Sequence, residues 1–108
     1  MDGISGAASI FAALGDETRL RLVTRLGTDG PLSIARLTSG SDVSRQAITK
    51  HLIVLAGAGL VHDVHRGRER IWALDKARLA EAQVYLDQIS QQWDEALDRL
   101  RRLVEAQP

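Results

Sequence analysis

The chain has 108 residues, 44% of them hydrophobic, with 14 basic and 14 acidic side chains and no cysteine. This length suits one domain covering residues 1–108, and the missing cysteine excludes disulfides, thiolate metal sites and thiol redox sensing. No apolar run approaches the ~18 residues of a membrane span, and Met1-Asp2-Gly3 lacks the positive start of a secretion signal, so a cytoplasmic location without a membrane partner is expected.

In chain order, Ser5 is placed to cap a first helix with apolar positions Ala8, Phe11, Ala12 and Leu14, ended by Gly15. Asp16 caps the next helix, and Glu17 lies in its first turn, where the dipole favours a carboxylate. Leu20, Leu22, Val23 and Leu26 supply its buried face. Residues 27–31 form a turn rich in Gly, Asp and Pro. Ser33 caps a short third helix that turns Ile34, Ala35 and Leu37 inward. Ser39-Gly40-Ser41-Asp42 is a second turn, and Ser44 caps a fourth helix that Gly57 and Gly59 stop.

Residues 60–65 and 69–74 read as two strands around the basic tip Arg66-Gly67-Arg68. Trp72 and Leu74 share one face of the second strand, and Ile71 and Ala73 the other. An isolated hairpin is marginal, so this one must pack on the helices. Asp75 starts a helical tail in which Leu79, Leu86, Ile89, Trp93, Ala96, Leu100 and Leu103 recur at spacings of mainly three and four, widened by Leu97 and Val104. The opposite face carries Asp87, Gln91, Asp94, Glu95, Asp98, Arg101 and Arg102. A helix this long and apolar along one side requires a partner.

The fourth helix has two jobs. Ala47, Ile48, Leu52 and Leu55 make an apolar stripe. Arg45, Gln46, Thr49 and Lys50 fall at i, i+1, i+4 and i+5 and share a different face, with donors and acceptors of the kind that reach base edges in a major groove. Charge is distributed to match. Residues 33–72 hold six basic side chains against three acidic, whereas residues 1–32 and 73–108 are each net acidic. Helix, strand, basic turn, strand makes the fold mainly α with a small β-hairpin, the layout of a winged helix-turn-helix, with the helix-turn-helix at 33–57 and the wing at 60–74.

With these residues in view, the chain resembles the ArsR family of small bacterial winged-helix repressors along nearly its whole length. The likeness is carried by residues 10–22 (Ile10-Phe11-Ala12-Ala13-Leu14-Gly15-Asp16-Glu17-Thr18-Arg19-Leu20-Arg21-Leu22), by 44–55 (Ser44 through Leu55), by Ala58-Gly59-Leu60-Val61 and by the wing 66–74. The resemblance implies a homodimer joined through the first and last helices (1–15 and 76–106) on a palindromic, inverted-repeat operator in double-stranded DNA. The corresponding seam residues are Phe11, Leu86, Ile89, Trp93, Leu97 and Leu100. The tail around Trp93-Asp94-Glu95-Ala96-Leu97 looks like the branch without known metal ligands. The thiolate sites need cysteine, and the zinc- and nickel-type sites need histidine on the last helix, which has none. No metal, cofactor or catalytic residue is therefore expected, and no small-molecule effector is identified.

Each candidate contact has a plainer alternative. Arg45, Gln46, Thr49 and Lys50 read bases, or they are an ordinary solvated face; Ser44 and Thr49 alternatively donate to phosphates. Arg66, Arg68 and Arg70 touch the minor groove or backbone, or they are charges that discourage edge pairing, and Arg70 alternatively pairs with a nearby carboxylate. His51 is a backbone phosphate contact or a partly buried, satisfied imidazole. His62 and His65 are three apart on a strand and point to opposite faces, which opposes joint chelation. Arg19 is read as structural. Tyr85 and Trp93 line the seam or a small pocket in it. The competing functions are a protein-interaction module, which would show no preference among DNA sequences, and an enzyme, for which the chain offers no nucleophile constellation or phosphate loop.

Overall fold

The computed structural model describes residues 3–106. Within them the chain runs α1 (Gly3–Leu14), α2 (Glu17–Asp29), β1 (Leu32–Ser33), α3 (Ile34–Thr38), α4 (Arg45–Gly57), β2 (Val61–Arg66), β3 (Glu69–Leu74) and α5 (Lys76–Glu105). The expected caps set these boundaries. Carboxylate oxygens of Asp16 and Asp75 accept from the backbone N–H of Arg19 and Arg78, and the hydroxyls of Ser33 and Ser44 accept from those of Arg36 and Ala47. Each satisfies an N–H that an α-helix leaves without an internal partner.

The end of α4 is built on Gly59, not Gly57. Gly57 is still helical, whereas Gly59 takes φ 79°. Gly59 N–H donates to Ala56 C=O and Leu60 N–H to Leu55 C=O, the paired bonds of a Schellman motif. Leu55 and Leu60, which that motif brings together, are both fully buried. Arg78 of α5 crosses this corner, donating from Nε to the carbonyl of Ala58 at 2.8 Å.

The sheet has three antiparallel strands in the order β1-β3-β2. The short β1 lies in what the sequence offers as a turn and cap; Leu32 and Ser33 pair with Trp72 and Ile71. Two residues carry no periodicity, and their partners are about forty positions away in the chain. The hairpin matches expectation to within one residue, and Asp75 N–H donates to Leu60 C=O at its base.

The core gathers Ile10 and Ala13 of α1, Leu22, Val23 and Leu26 of α2, Leu37, the α4 stripe, Trp72 and Ala82. Three sequence expectations are corrected here. Leu20 is half exposed (50%) and Ala35 is exposed, so neither belongs to the core. Ser5 lies inside α1 and does not cap it. The inward face of α1 is Ala7, Ile10 and Ala13; Ala8 and Ala12 face solvent, with Phe11 half-buried between the two sides. A helix reading GISGAASIFAAL is apolar nearly all round, so spacing alone leaves its rotation undetermined.

α1 packs along the first turns of α5, where Phe11 meets Tyr85 with ring centroids 6.4 Å apart. Beyond Tyr85, Ala96 is the one residue of α5 that is even half-buried. The helix therefore projects, giving a long axis of 73 Å and a radius of gyration of 19.1 Å, against about 13 Å for a globular domain of 100 residues. No described helix is long and apolar enough to cross a membrane.

Replacing Gly59 by Ala should lower stability by roughly 1–2 kcal/mol, because an L side chain resists this left-handed backbone. The new Cβ would also lie 3.2 Å from Arg78 Nε. Urea unfolding monitored by circular dichroism checks it.

Candidate DNA interface

The inner stripe of α4 determines which side of the helix faces outward. Ile48, Leu52 and Leu55 are fully buried and Ala47 is half-buried. The opposite side therefore presents Arg45, Gln46 and Lys50 to solvent, with Thr49 half-buried beside them. Among the described residues the side chains of Arg45, Gln46 and Lys50 have no hydrogen-bond or ion-pair partner. Thr49 differs from its three neighbours. Its hydroxyl donates back to the carbonyl of Arg45 at 2.9 Å, so it offers outward an acceptor oxygen and a methyl but no free donor. Ser44 is the reverse. Its oxygen accepts the capping bond, and its hydroxyl hydrogen is left to donate.

The wing tip is a two-residue loop, Gly67-Arg68, closed by the Arg66–Glu69 pair of the register. Gly67 takes φ 64°, the glycine-first geometry that suits the strands' twist in tight hairpins. Arg66 and Arg68 are exposed and unengaged among the described residues. Arg70 is not. Its Nε donates to Asp63 Oδ2 at 2.6 Å, and its guanidinium lies 4.7 Å from the centroid of the Trp72 ring. Asp63 sits opposite Trp72 in the β2–β3 register, which puts both Arg70 partners within reach of one side chain. The Arg70 hydrogen bond holds the Asp63 carboxyl below its ordinary range. Of the two readings open for Arg70, the structure shows the carboxylate pair.

His51 turns the other way from the exposed polar face. Its ring is half-buried, with Nδ1 3.8 Å from Asp16 Oδ2 and 3.4 Å from Arg19 Nη1. Arg19 also donates from Nε to the carbonyl of Ala13 at 2.6 Å. These contacts join the end of α1, the start of α2 and the middle of α4. The Arg19 backbone N–H, donating to the Asp16 carboxylate, is the largest influence and pulls this carboxyl below its ordinary value; desolvation opposes it, and the nearby Arg19 and His51 side chains add smaller downward pulls. Arg19 is thus a structural bridge, as read from the sequence. His62 and His65 pair across the hairpin with Ala73 and Arg70, an odd offset that places them on opposite faces.

Along α5 the residues anticipated for the seam are all in solvent within one chain. Leu86, Ile89, Leu97 and Leu100 are exposed, and Trp93 reaches 64% exposure. Phe11 is half-buried on α1 next to them, and the outward Ala8 and Ala12 continue its apolar side. Ile4, Ile53, Val54, Val64 and Val84 are further exposed aliphatics outside the predicted seam.

A recognition helix seated by its apolar side, a preceding short helix and turn, and a hairpin with a basic tip define a winged helix-turn-helix. Comparison with known proteins agrees. A family model described as a helix-turn-helix domain matches residues 14–64. The HTH-type transcriptional regulator Rv2034 of Mycobacterium tuberculosis is 38% identical over 97 residues, covering 90% of this chain and 87% of the relative. Among solved structures, an ArsR-like transcriptional regulator from Rhodococcus sp. RHA1 superposes with a TM-score of 0.84 at 38% identity, over 96% of this chain and 97% of that one. Another, described as a possible transcriptional regulator for arsenical resistance, gives 0.70 at 35% identity, over 93% and 98%. The chain belongs to the ArsR family of winged helix-turn-helix transcriptional regulators.

The depressed Asp16 carboxyl has a signed consequence. Stability that it contributes is present above the ordinary carboxylate pKa of about 3.9 and is lost as pH falls through its lowered value. Asp16→Asn keeps a capping oxygen but not the charge. Wild type should therefore exceed this variant in urea midpoint at pH 5, and the gap should narrow progressively as pH falls below about 3.9.

Proposed function

We propose that the chain is a homodimeric repressor that occupies an inverted-repeat operator without sensing a metal. The observation that carries this reading is where the free positive charge lies. Among the described residues, the cations whose side chains lack a partner are Arg36, Arg45, Lys50, Arg66, Arg68, Lys76 and Arg99. Five of these seven fall within residues 33–72. Elsewhere, all described arginines except Arg99 are engaged by neighbours, as Arg21 is by Glu17, Arg25 by Asp29 and Arg78 by Glu81. A surface that kept its charges for internal pairs would not leave them unengaged on one reading helix and one hairpin tip.

In this reading Arg45 and Gln46 recognise base edges in the major groove, guanine and adenine being their natural partners. Lys50 and the Ser44 hydroxyl hold phosphates at the edge of the groove, and Arg66 and Arg68 lie along the flanking minor groove. Thr49 presents its acceptor and methyl to the groove. His51 and Arg70, already engaged within the chain, orient α4 and the wing. The dimer follows from the outward stripe of α5 with Phe11 beside it. A contiguous apolar strip this long is not left in water by a stable protein, and two-fold pairing of α5 would place two α4 helices on successive turns of one DNA face. Repression needs only that the site be filled. The absence of cysteine from the sequence and of histidine from α5 supports a regulator that is not metal-responsive.

Selection of binding sites from a randomised duplex library is the direct test, and a palindromic consensus is expected. Arg45→Ala or Gln46→Ala should relax preference at one position per half-site, costing about 1–3 kcal/mol there. Arg68→Ala should weaken all sequences about equally and reduce the salt slope by about one. Uniform loss in both sets would reject the division between reading and positioning. Trp93→Asp places a charge in the proposed seam. Sedimentation should show a folded monomer or an unfolded chain, and a stable dimer would place the interface elsewhere.

A further inference from the structure

We infer that Ile53 is a specificity-determining residue, contacting the C5-methyl group of a thymine in each half-site. This rests on the DNA-reading role proposed above.

Ile53 follows Lys50 by three residues, Thr49 by four and Gln46 by seven. At 100° per residue it falls inside the arc that Arg45, Gln46, Thr49 and Lys50 occupy. The buried stripe of Ile48, Leu52 and Leu55 lies on the other side. Ile53 is 57% exposed, and Ala56 and Gly57 on the next turn are small and exposed as well. The outward face of α4 therefore runs from two polar pairs to a branched aliphatic and then to bare backbone. Nothing among the described residues covers that aliphatic.

A single exposed aliphatic on a surface is ordinary. Here position and residue type remove the ordinary explanation. Isoleucine is a poor choice for holding a solvent-facing helix, because its branched Cβ loses rotamer freedom against the preceding turn. It lies on α4, outside the two helices, α1 and α5, that the proposed dimer joins. It stands one turn beyond Thr49, whose acceptor and methyl face the groove, and two turns beyond Gln46, the proposed base reader. That groove presents one conspicuous apolar group, the thymine methyl. From Arg45 to Ile53 the helix rises about 12 Å, or about three to four base-pair steps at ~3.4 Å each. Ile53 thus meets a different base pair from the one that Arg45 reads.

The test uses the full chain and the duplex recovered by selection from a random library. Each thymine of the half-site is replaced in turn by deoxyuridine, which differs only in lacking the methyl. Wild type should lose about 3–10-fold in affinity at one thymine per half-site, the scale of burying one methyl group. Ile53→Ala, at a solvent-exposed position, should lose a similar factor on the intact operator and be indifferent to uracil at that thymine. Ile53→Val should retain the sensitivity. The inference is overturned if Ile53→Ala still responds to that uracil, if it matches wild type on the intact operator, or if the selected half-site contains no methyl-sensitive thymine. A selection that yields no consensus defeats the operator reading itself, and this inference with it. A clear consensus with Ile53 uncoupled from every methyl defeats this inference alone.

Discussion

The seating of α4 determines the rest of the molecule. Burying an aliphatic side chain such as Ile48, Leu52 or Leu55 stabilises by about 1.5–3 kcal/mol. An exposed ion pair contributes about 0–1 kcal/mol. The rotation of α4 about its own axis is therefore dictated by its apolar stripe, and no arrangement of surface charge competes with it. Arg45, Gln46 and Lys50 are carried outward as a consequence, without needing partners of their own. The Ser44 cap and the Schellman turn at Gly59 fix where the helix begins and ends. The His51–Asp16–Arg19 contacts then anchor its middle to the junction of α1 and α2.

Much of this was legible in the sequence because the signals are local. Asp16, Ser33, Ser44 and Asp75 are capping residues immediately before helical patterns, and all four make their bonds. The α4 stripe has unambiguous spacing. Where the reading failed, the deciding interaction was distant or the pattern degenerate. β1 exists because β3 needs a second neighbour, which no feature of Leu32-Ser33 announces. The rotation of α1 is set by α5 and α2, since its own composition distinguishes no face. Leu20 looks like a core residue by type and is outside the core by geometry.

The candidate interface was legible in outline and less so in the direction of individual bonds. Sequence spacing places Thr49 with Arg45, but it does not say that the Thr49 hydroxyl spends its proton on the Arg45 carbonyl. Nor does it choose between free and paired states for Arg70, which depends on Asp63 and Trp72 meeting it across the hairpin. These are cross-strand and back-bonding effects, decided once register and rotamer exist. Charge segregation, by contrast, survives folding intact. The segment with excess positive charge keeps five of its six cations unengaged among the described residues.

The Arg78 bridge has a mechanical consequence. Its guanidinium joins the first turn of α5 to the carbonyl of Ala58, at the exit of α4. That corner is further stiffened by the backbone bond from Asp75 to Leu60. Any rocking of the long shaft is therefore coupled to the exit of α4. In a two-fold assembly the separation between the paired helices becomes a dimension machined into the scaffold. Under the proposed operator reading, sites spaced differently would be refused by leverage, before any base was compared.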